Sequence, residues 1–247
     1  MKSIDVGRSD IKKAVIDVIN ACHILYNEGM WELFGEGHPS CRIPGDNIVV
    51  MPGHGHPFGK SLNDVRSIDD IIFMDLDGNI LRKGSFKEAM EATVVHLAIY
   101  KSRNDVNGIV YLHPPYTDIF AELNRSIPMY VDDIPIYDSG GEITTMKVAK
   151  KLVEKLGEKN AIILRSMNGL VCTGRILPQA VTNAYVIEKN AKHQYHALAI
   201  GKISLRKKLI DHRTGEEDSR IESRLKPKDD KKPIIYLYLE RKHCLKK

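Results

Sequence analysis

The side chain best placed for chemistry is His113, which follows a short apolar stretch over 109–112 and precedes two prolines. The stretch predicts a buried strand. That strand must end near His113, because proline has no backbone N–H to donate to a neighbouring strand. A sheet holds such a residue firmly while the following loop opens to solvent, which is where functional side chains often lie. His113 is therefore the first candidate for a functional residue.

A glycine-rich loop at 33–46 and a second loop at 52–57 carry further histidines. An imidazolium group can bind a carboxylate or a phosphate, so these segments indicate a binding site for an anionic substrate. The residues that we expect to contact the substrate are Gly37, His38, Ser40, Gly53 and His54. The pattern leaves open the alternative that these histidines are only surface residues of two loops.

The elements that must position these residues follow from the spacing of apolar side chains. The predicted helices are 8–29, a central helix opening with a Ser85-x-x-Glu88 cap and ending before Asn104, 117–123, 144–156 and 178–200. The predicted strands form hairpins at 40–51, 71–81 and 161–173, with single strands at 109–112, near Met129 and at 234–239. This order favours one domain in which helices cover a mainly antiparallel sheet.

Composition excludes several classes of protein. Of 247 residues, 43% are hydrophobic and 28% are charged, as in ordinary globular proteins. No apolar run approaches the roughly 20 residues of a membrane span, and the charged N-terminus lacks an apolar signal core, so a cytoplasmic protein is expected. Four scattered cysteines without a Cys-x-x-Cys pair indicate neither a disulfide framework nor a zinc knuckle.

The charge is concentrated at the C-terminus. Residues 205–247 carry 14 Lys and Arg against 8 Asp and Glu, whereas residues 1–204 have a net charge of −1. We therefore divide the chain into a domain at 1–204 and a basic, partly ordered extension at 205–247. A basic tail can contact nucleic acid, but this one lacks the interleaved aromatic residues of single-strand binders, and nucleic-acid binding is not expected.

Four segments together resemble the class II aldolase/adducin family. They are the glycine loop at 37–42, the strand and glycine turn at 49–55, the helix–strand unit from 96 to 114, and the strand–turn at 164–174. They occur in the family's order over roughly residues 10–200. The resemblance implies an α/β/α sandwich on a mainly antiparallel sheet, assembled as a homotetramer with sites between subunits. Family members include sugar-phosphate aldolases, decarboxylases and non-catalytic adducin-like proteins.

The resemblance also implies a metal site, which this sequence alters. The family uses a glutamate, a His-x-His pair and a later histidine before glycine. Here the pair has become Tyr111-x-His113, the later histidine has become Asn168, and the glutamate position has Ala92 with Glu91 beside it. The resemblance assigns His113, Glu91 and Asn168 as metal ligands, for zinc or manganese. One imidazole, a carboxylate and an amide bind such an ion more weakly than three imidazoles and a carboxylate do.

The function predicted from these observations is a carbon–carbon lyase, of aldolase or decarboxylase type, acting on a small hydroxy, oxo or carboxylate substrate. The catalytic residues that the resemblance suggests are Glu91, Tyr111 and His96. The phosphate cradle of the family aldolases is also altered, since His38 replaces an asparagine. The alternative function is an adducin-like binding or scaffold protein that kept the fold without the chemistry, because a fold alone does not determine function.

Overall fold

The computed structural model describes residues 4–30, 37–53, 61–85, 89, 92–127, 129, 134–166, 169–201 and 230–244. Within these ranges the helices are α1 Ser9–Asn27, α2 Thr93–Ser102, α3 Pro115–Glu122, α4 Met146–Leu156, α5 Leu177–Ile200 and α6 Ile234–His243. The strands are β1 His38–Arg42, β2 Ile48–Pro52, β3 Ile71–Asp75, β4 Ile80–Arg82, β5 Gly108–Leu112, β6 Ile136–Tyr137, β7 Ala161–Leu164 and β8 Gly169–Gly174.

These strands form one sheet in the order β4-β3-β2-β1-β5-β8-β7-β6. Every neighbouring pair is antiparallel except β6 and β7. The three predicted hairpins are confirmed as β1–β2, β3–β4 and β7–β8. Strand β5 lies at the centre between β1 and β8, so the strand that leads to His113 is paired along both edges.

Helices cover both faces of the sheet. Successive side chains of a strand point to opposite faces, so each strand contributes to the hydrophobic core on either side. Val110 and Leu112 pack into one hydrophobic core with α1, α3, α5 and α6. Ile109 and Tyr111 pack into a second core with α2 and α4. This three-layer arrangement confirms the predicted α/β/α sandwich on a mainly antiparallel sheet.

Two predicted elements differ from the structure, the start of α2 and the final strand. Helix α2 begins at Thr93, whereas the sequence suggested a start just after Ser85; Ser85 instead donates its N–H to the carbonyl of Asp69. The short strand predicted near Met129 falls mostly on residues outside the described ranges and stays a prediction; a strand that was not predicted lies at Ile136–Tyr137, where it pairs with β7.

The predicted final strand at 234–239 is also wrong, because this segment is the helix α6. It begins directly after Pro233, a residue that suits the start of a helix. Tyr236 and Leu239 are fully buried and lie three residues apart, the spacing of one helix face, and they pack in the core that contains α1. A short apolar run does not distinguish a strand from a helix by its sequence pattern.

Ion pairs fasten α6 to the domain. Glu28, at the end of α1, accepts hydrogen bonds from Lys242 at 2.7 Å and His243 at 2.8 Å, and Lys189 of α5 lies 3.2 Å from it. Lys232, just before α6, binds Glu240 at 2.7 Å. Part of the predicted C-terminal extension is thus packed on the domain. Within the described ranges, no helix combines the length and apolar character needed to cross a membrane.

Candidate functional site

Four ring side chains meet on the α2 face of the sheet: His38, His96, Tyr111 and His113. The ring centroids are 4.6 Å apart for His38 and His96, 6.0 Å for His38 and Tyr111, and 5.4 Å for Tyr111 and His113. All four residues are buried, with exposed fractions between 0% and 5%. We call these four residues the ring cluster.

Strand pairing explains how the ring cluster forms. In the antiparallel pairing of β1 with β5, His38 lies opposite Tyr111, and Ser40 lies opposite Ile109. Directly opposed residues point to the same face of a sheet. His38 and Ser40 therefore face α2, together with Tyr111. Helix α2 supplies His96 from the side that lies on this face.

Two glycines allow the backbones around the ring cluster to approach each other closely. A side-chain carbon at Gly169 would lie 2.9 Å from the ring of Tyr111, and one at Gly37 would lie 3.1 Å from the carbonyl oxygen of Tyr111. Gly37 also has φ of +129°, a backbone conformation that favours glycine. These glycines therefore shape the space around Tyr111.

A chain of hydrogen bonds beside the ring cluster connects β1 to α2. The Ser40 hydroxyl oxygen lies 2.6 Å from His96 Nδ1 and 2.7 Å from the Tyr100 hydroxyl, and all three residues are fully buried. Burial, together with the neighbouring His38, holds the pKa of His96 well below its ordinary value of 6.5. Burial also raises the pKa of the Tyr100 hydroxyl. His96 and Tyr100 are therefore both neutral in the folded protein.

Arg42 completes the contact between β1 and α2. Its guanidinium donates to the carbonyls of Tyr100, Arg103, Asn104 and Val106 at 2.6–3.0 Å and to the side chain of Asn107 at 3.0 Å. The last carbonyls of a helix lack partners within the helix, and Arg42 supplies donors to those at the end of α2. Burial lowers the pKa of Arg42 from 12.5. The described contacts of Arg42 hold the helix that carries His96.

Glu188 of α5 fixes the turn that follows His113. Its carboxylate accepts hydrogen bonds from the backbone N–H groups of Tyr116 and Thr117, at 3.0 and 2.9 Å, and from the Thr117 hydroxyl at 2.8 Å. These groups belong to the first turn of α3, whose N–H groups have no partners within the helix. The position of His113 is thus set by β5 on one side and by α3 on the other.

The structure brings together most of the predicted site residues that it describes. Tyr111, His96, His38 and His113 form the ring cluster, and Gly37 packs against the backbone of Tyr111. Ser40 lies behind the cluster, bonded to His96. Gly53 follows β2 and donates its N–H to Asp70. Glu91, His54 and Asn168 lie outside the described residues, and their roles stay predictions.

Three residues that shape the site were not predicted: Tyr100, Arg42 and Glu188. Two of them carry a signal in the sequence. Tyr100 follows His96 by four residues, which places both on one side of α2. Arg42 follows Ser40 by two residues, which places both on one face of β1. Glu188 gives no local signal, because its partners are far away in the sequence.

The described residues do not supply the donor set of the family's metal site. Among them, no three His, Cys, Asp or Glu side chains lie close enough together to hold an ion. His113 is a normal metal ligand, but its neighbour Tyr111 is a phenol, which binds a metal poorly while it keeps its proton. His96 Nδ1 is already bonded to Ser40. Of the three predicted ligands, only His113 lies among the described residues, so the predicted zinc or manganese site at His113, Glu91 and Asn168 stays a prediction.

Comparisons with known proteins place this site in context. The family model of the class II aldolase and adducin N-terminal domain matches residues 16–195. An L-fuculose phosphate aldolase of Methanocaldococcus jannaschii is 29% identical over 180 residues, covering 70% of this chain and 91% of that protein. A 3-oxo-tetronate 4-phosphate decarboxylase of Haemophilus influenzae is 31% identical over 183 residues, covering 68% of this chain and 80% of that protein.

Solved structures share the fold. An aldolase II superfamily protein from Pseudomonas syringae superposes with a TM-score of 0.74 at 17% identity, covering 95% of each chain. A sugar-phosphate aldolase from Thermotoga maritima gives a TM-score of 0.64 at 18% identity, covering 78% of this chain and 98% of that one. At these identities the likeness concerns the fold alone.

Proposed function

Because the chain belongs to the class II aldolase and adducin family, we propose that it is a carbon–carbon lyase, of aldolase or decarboxylase type, that acts on a small hydroxy or oxo acid at the ring cluster. The observation that carries the proposal is the meeting of three imidazoles and a phenol on one face of the sheet. The relatives that the chain resembles include both aldolases and decarboxylases by name.

The chemistry of such a reaction matches the side chains of the ring cluster. Breaking a carbon–carbon bond next to a carbonyl leaves an electron pair that is shared with the carbonyl oxygen. Hydrogen-bond donors positioned at that oxygen stabilise the charge. The hydroxyl of Tyr111 and the imidazoles of His38 and His113 are groups of this type. A phenol or an imidazole can also return a proton to the carbon after cleavage.

A divalent metal is not assigned a step in this proposal. Class II aldolases typically use one, commonly zinc. The donors described around His113 are too few to hold it tightly, and the remaining candidates are Glu91 and Asn168. We propose that this chain binds zinc or manganese weakly.

The oxygen-rich end of the substrate is proposed to be a carboxylate rather than a sugar phosphate. Family aldolases cradle phosphate with an asparagine that is His38 here, and His38 is part of the buried ring cluster. An imidazole beside another imidazole offers few donors for the three oxygens of a phosphate. A planar carboxylate has two oxygens and matches this smaller set.

A substrate panel tests the proposal. The purified protein is incubated, with and without added zinc or manganese, with L-fuculose 1-phosphate, 3-oxo-tetronate 4-phosphate and 3,4-dihydroxyphthalate, and with unphosphorylated hydroxy and oxo acids. Products are followed by nuclear magnetic resonance (NMR). The expected result is cleavage of an acid with slower or no cleavage of L-fuculose 1-phosphate. Turnover of L-fuculose 1-phosphate near ordinary enzyme rates, about 10 per second, would contradict the choice of substrate.

The second candidate function is a binding protein that has lost the chemistry. The observation that favours it is the phenol of Tyr111, which contacts His113. Tyr111 is at the sequence position where the family pattern has a metal-binding histidine. This candidate predicts saturable binding of an acid from the panel with no product after long incubation. Calorimetric titration alongside the product assay separates the two functions.

Assembly is part of the same proposal. Because sites of this family lie between subunits, we propose a homo-oligomer, with a tetramer as the expected form. The surface of α6 exposes Ile234, Leu237 and Tyr238, at 68%, 48% and 61%, so apolar side chains are available near the C-terminus. Light scattering at micromolar concentration measures the mass. A 27.9 kDa monomer would contradict the proposal.

A further inference from the structure

The hydroxyl of Ser40 has two partners, and this fixes which nitrogen of His96 carries the proton. The hydroxyl oxygen lies 2.6 Å from His96 Nδ1 and 2.7 Å from the Tyr100 hydroxyl. A hydroxyl has a single proton, so Ser40 donates to one of these groups and accepts from the other. Two arrangements of the protons are therefore possible.

In the first arrangement, Tyr100 donates to Ser40 and Ser40 donates to Nδ1. Neutral His96 then carries its proton on Nε2. In the second, Nδ1 donates to Ser40 and Ser40 donates to the oxygen of Tyr100. That leaves the buried proton of Tyr100 and the lone pair of Nε2 both without partners among the described residues. The first arrangement leaves only the N–H of Nε2 without a partner. It therefore has one unsatisfied buried polar group fewer than the second, and it is the more stable of the two.

The position of His96 Nε2 indicates what that N–H is for. The atom is buried and has no hydrogen-bond partner among the described residues. The ring of His96 packs against that of His38, which contacts Tyr111, so this nitrogen without a partner belongs to a ring of the cluster. A buried donor without a partner costs stability. Such a donor therefore indicates that a ligand supplies the acceptor.

We infer that Tyr100 and Ser40 hold His96 as the Nε2–H form, and that this N–H binds an anionic oxygen of the ligand beside His38. The ligand class is a small carboxylate or phosphate. His96 is then a binding residue and not a general base, because Nδ1 is bonded to Ser40 and Nε2 already carries the proton. Ser40 and Tyr100 are positioning residues that act through His96. The second half of this inference rests on the proposed function, whereas the proton position does not.

The proton position is measured by NMR of protein labelled with ¹⁵N in histidine. Two-bond correlations distinguish a protonated ring nitrogen from an unprotonated one. His23 provides an internal reference, because its Nε2 lies 2.9 Å from the carbonyl of Val65, which can only accept a hydrogen bond. The expected result is that His96 has the same pattern as His23, assigned through loss of its signal in His96→Gln. A proton on Nδ1 of His96 overturns the inference.

Variants test the chain that holds the proton. Ser40→Ala removes the donor to Nδ1, and the preference for the Nε2–H form is expected to fall by about tenfold. Tyr100→Phe is a second variant for the same chain. The matched control is Thr93→Val, which removes another buried hydroxyl from α2, one whose partner is the sulfur of Met51. An unchanged proton pattern in both Ser40→Ala and Tyr100→Phe contradicts the role of the chain.

Ligand binding is tested with pyruvate as the carboxylate probe and inorganic phosphate as the other source of anionic oxygen. Binding of either probe should shift the Nε2–H signal of His96, and Ser40→Ala should weaken that binding about tenfold while Thr93→Val leaves it unchanged. A larger shift with pyruvate identifies carboxylate as the ligand chemistry, and a larger one with phosphate identifies phosphate. If neither probe shifts the His96 signal at saturation, the binding role is wrong, whether or not the protein catalyses cleavage.

Discussion

The substitution Arg42→Lys tests how the ring cluster is positioned. The guanidinium of Arg42 makes five hydrogen bonds, four of them to carbonyls at or just after the end of α2. Lysine keeps the positive charge but has three donors on a single atom, whereas arginine presents five donors on a planar fork. At least two of the five bonds must be lost, and the acceptor oxygens concerned, which are buried or part-buried, are left without these donors.

The magnitude follows from these bonds. A hydrogen bond to a charged group contributes about 1.5–3 kcal/mol, so the loss of two predicts a decrease in the free energy of unfolding of about 3–6 kcal/mol. The matched control is Arg165→Lys, because Arg165 is 44% exposed and makes one ion pair with Asp138. Exposed pairs contribute about 0–1 kcal/mol, so this control should change stability little.

The assay is unfolding in urea or guanidinium chloride, followed by circular dichroism, with the stability taken from the midpoint and the slope. The NMR signal of His96 is recorded in parallel, because a looser end of α2 should also move that residue. If Arg42→Lys unfolds within about 1 kcal/mol of the wild-type protein, the bonds of Arg42 do not hold α2 against β1. The position of His96 would then not depend on the contact between Arg42 and the end of α2.

Three further predictions concern the fold and the metal. Gly108→Ala should lower the free energy of unfolding by about 3 kcal/mol or more, because the added carbon would lie 2.2 Å from Leu177 Cα. The control is Gly201→Ala, whose added carbon meets nothing within 4 Å. The denaturant midpoints of the two variants measure the difference. Burial raises the pKa of Glu28, but hydrogen bonds from Lys242, His243 and Lys189 outweigh it and lower that pKa to about 2. Because the pKa of Glu28 is lowered, its contact between α1 and α6 is fully stabilising above the ordinary carboxyl pKa of 4.5 and is lost as the pH falls through about 2. Hydrogen exchange of α6 should show this loss in the wild type and a flatter pH profile in Glu28→Gln. Identical profiles in the two proteins would contradict the prediction. Elemental analysis after dialysis should find less than one zinc or manganese ion per wild-type chain. The double variant Tyr111→His with Asn168→His should hold more metal per chain. One tightly held ion per wild-type chain would contradict the prediction of a weak metal site.

Much of the fold could be predicted because its signals are local. The prolines after His113 end the central strand β5, and the turn residues between β1 and β2 mark a hairpin. The amphipathic pattern of α1 and α4 places their apolar sides correctly. In these cases the residues that determine the element lie within the element or next to it, so the sequence pattern is sufficient.

The remainder depends on contacts between distant segments. The pairing of His38 with Tyr111 depends on the register of β1 and β5, which no local pattern fixes. Ser40 suggested a substrate-binding hydroxyl, but its hydrogen bonds to His96 and Tyr100 arise only when α2 packs on β1. The apolar run at 234–239 is helical because Tyr236 and Leu239 fill a space in the core beside α1. Tertiary packing decides such cases.

Carbon–carbon cleavage at the ring cluster is tested by the rate of product formation in three matched proteins. These are the wild type, Tyr111→Phe, and His193→Gln, in which the changed histidine is exposed on α5 and lies outside the cluster. The substrate is the acid of the panel that the wild type cleaves, and products are followed by NMR at equal concentrations of folded protein. If cleavage occurs at the ring cluster, Tyr111→Phe slows it at least about 100-fold, and His193→Gln retains the wild-type rate. Equal rates in all three proteins, or no cleavage of any acid by the wild type, would contradict it.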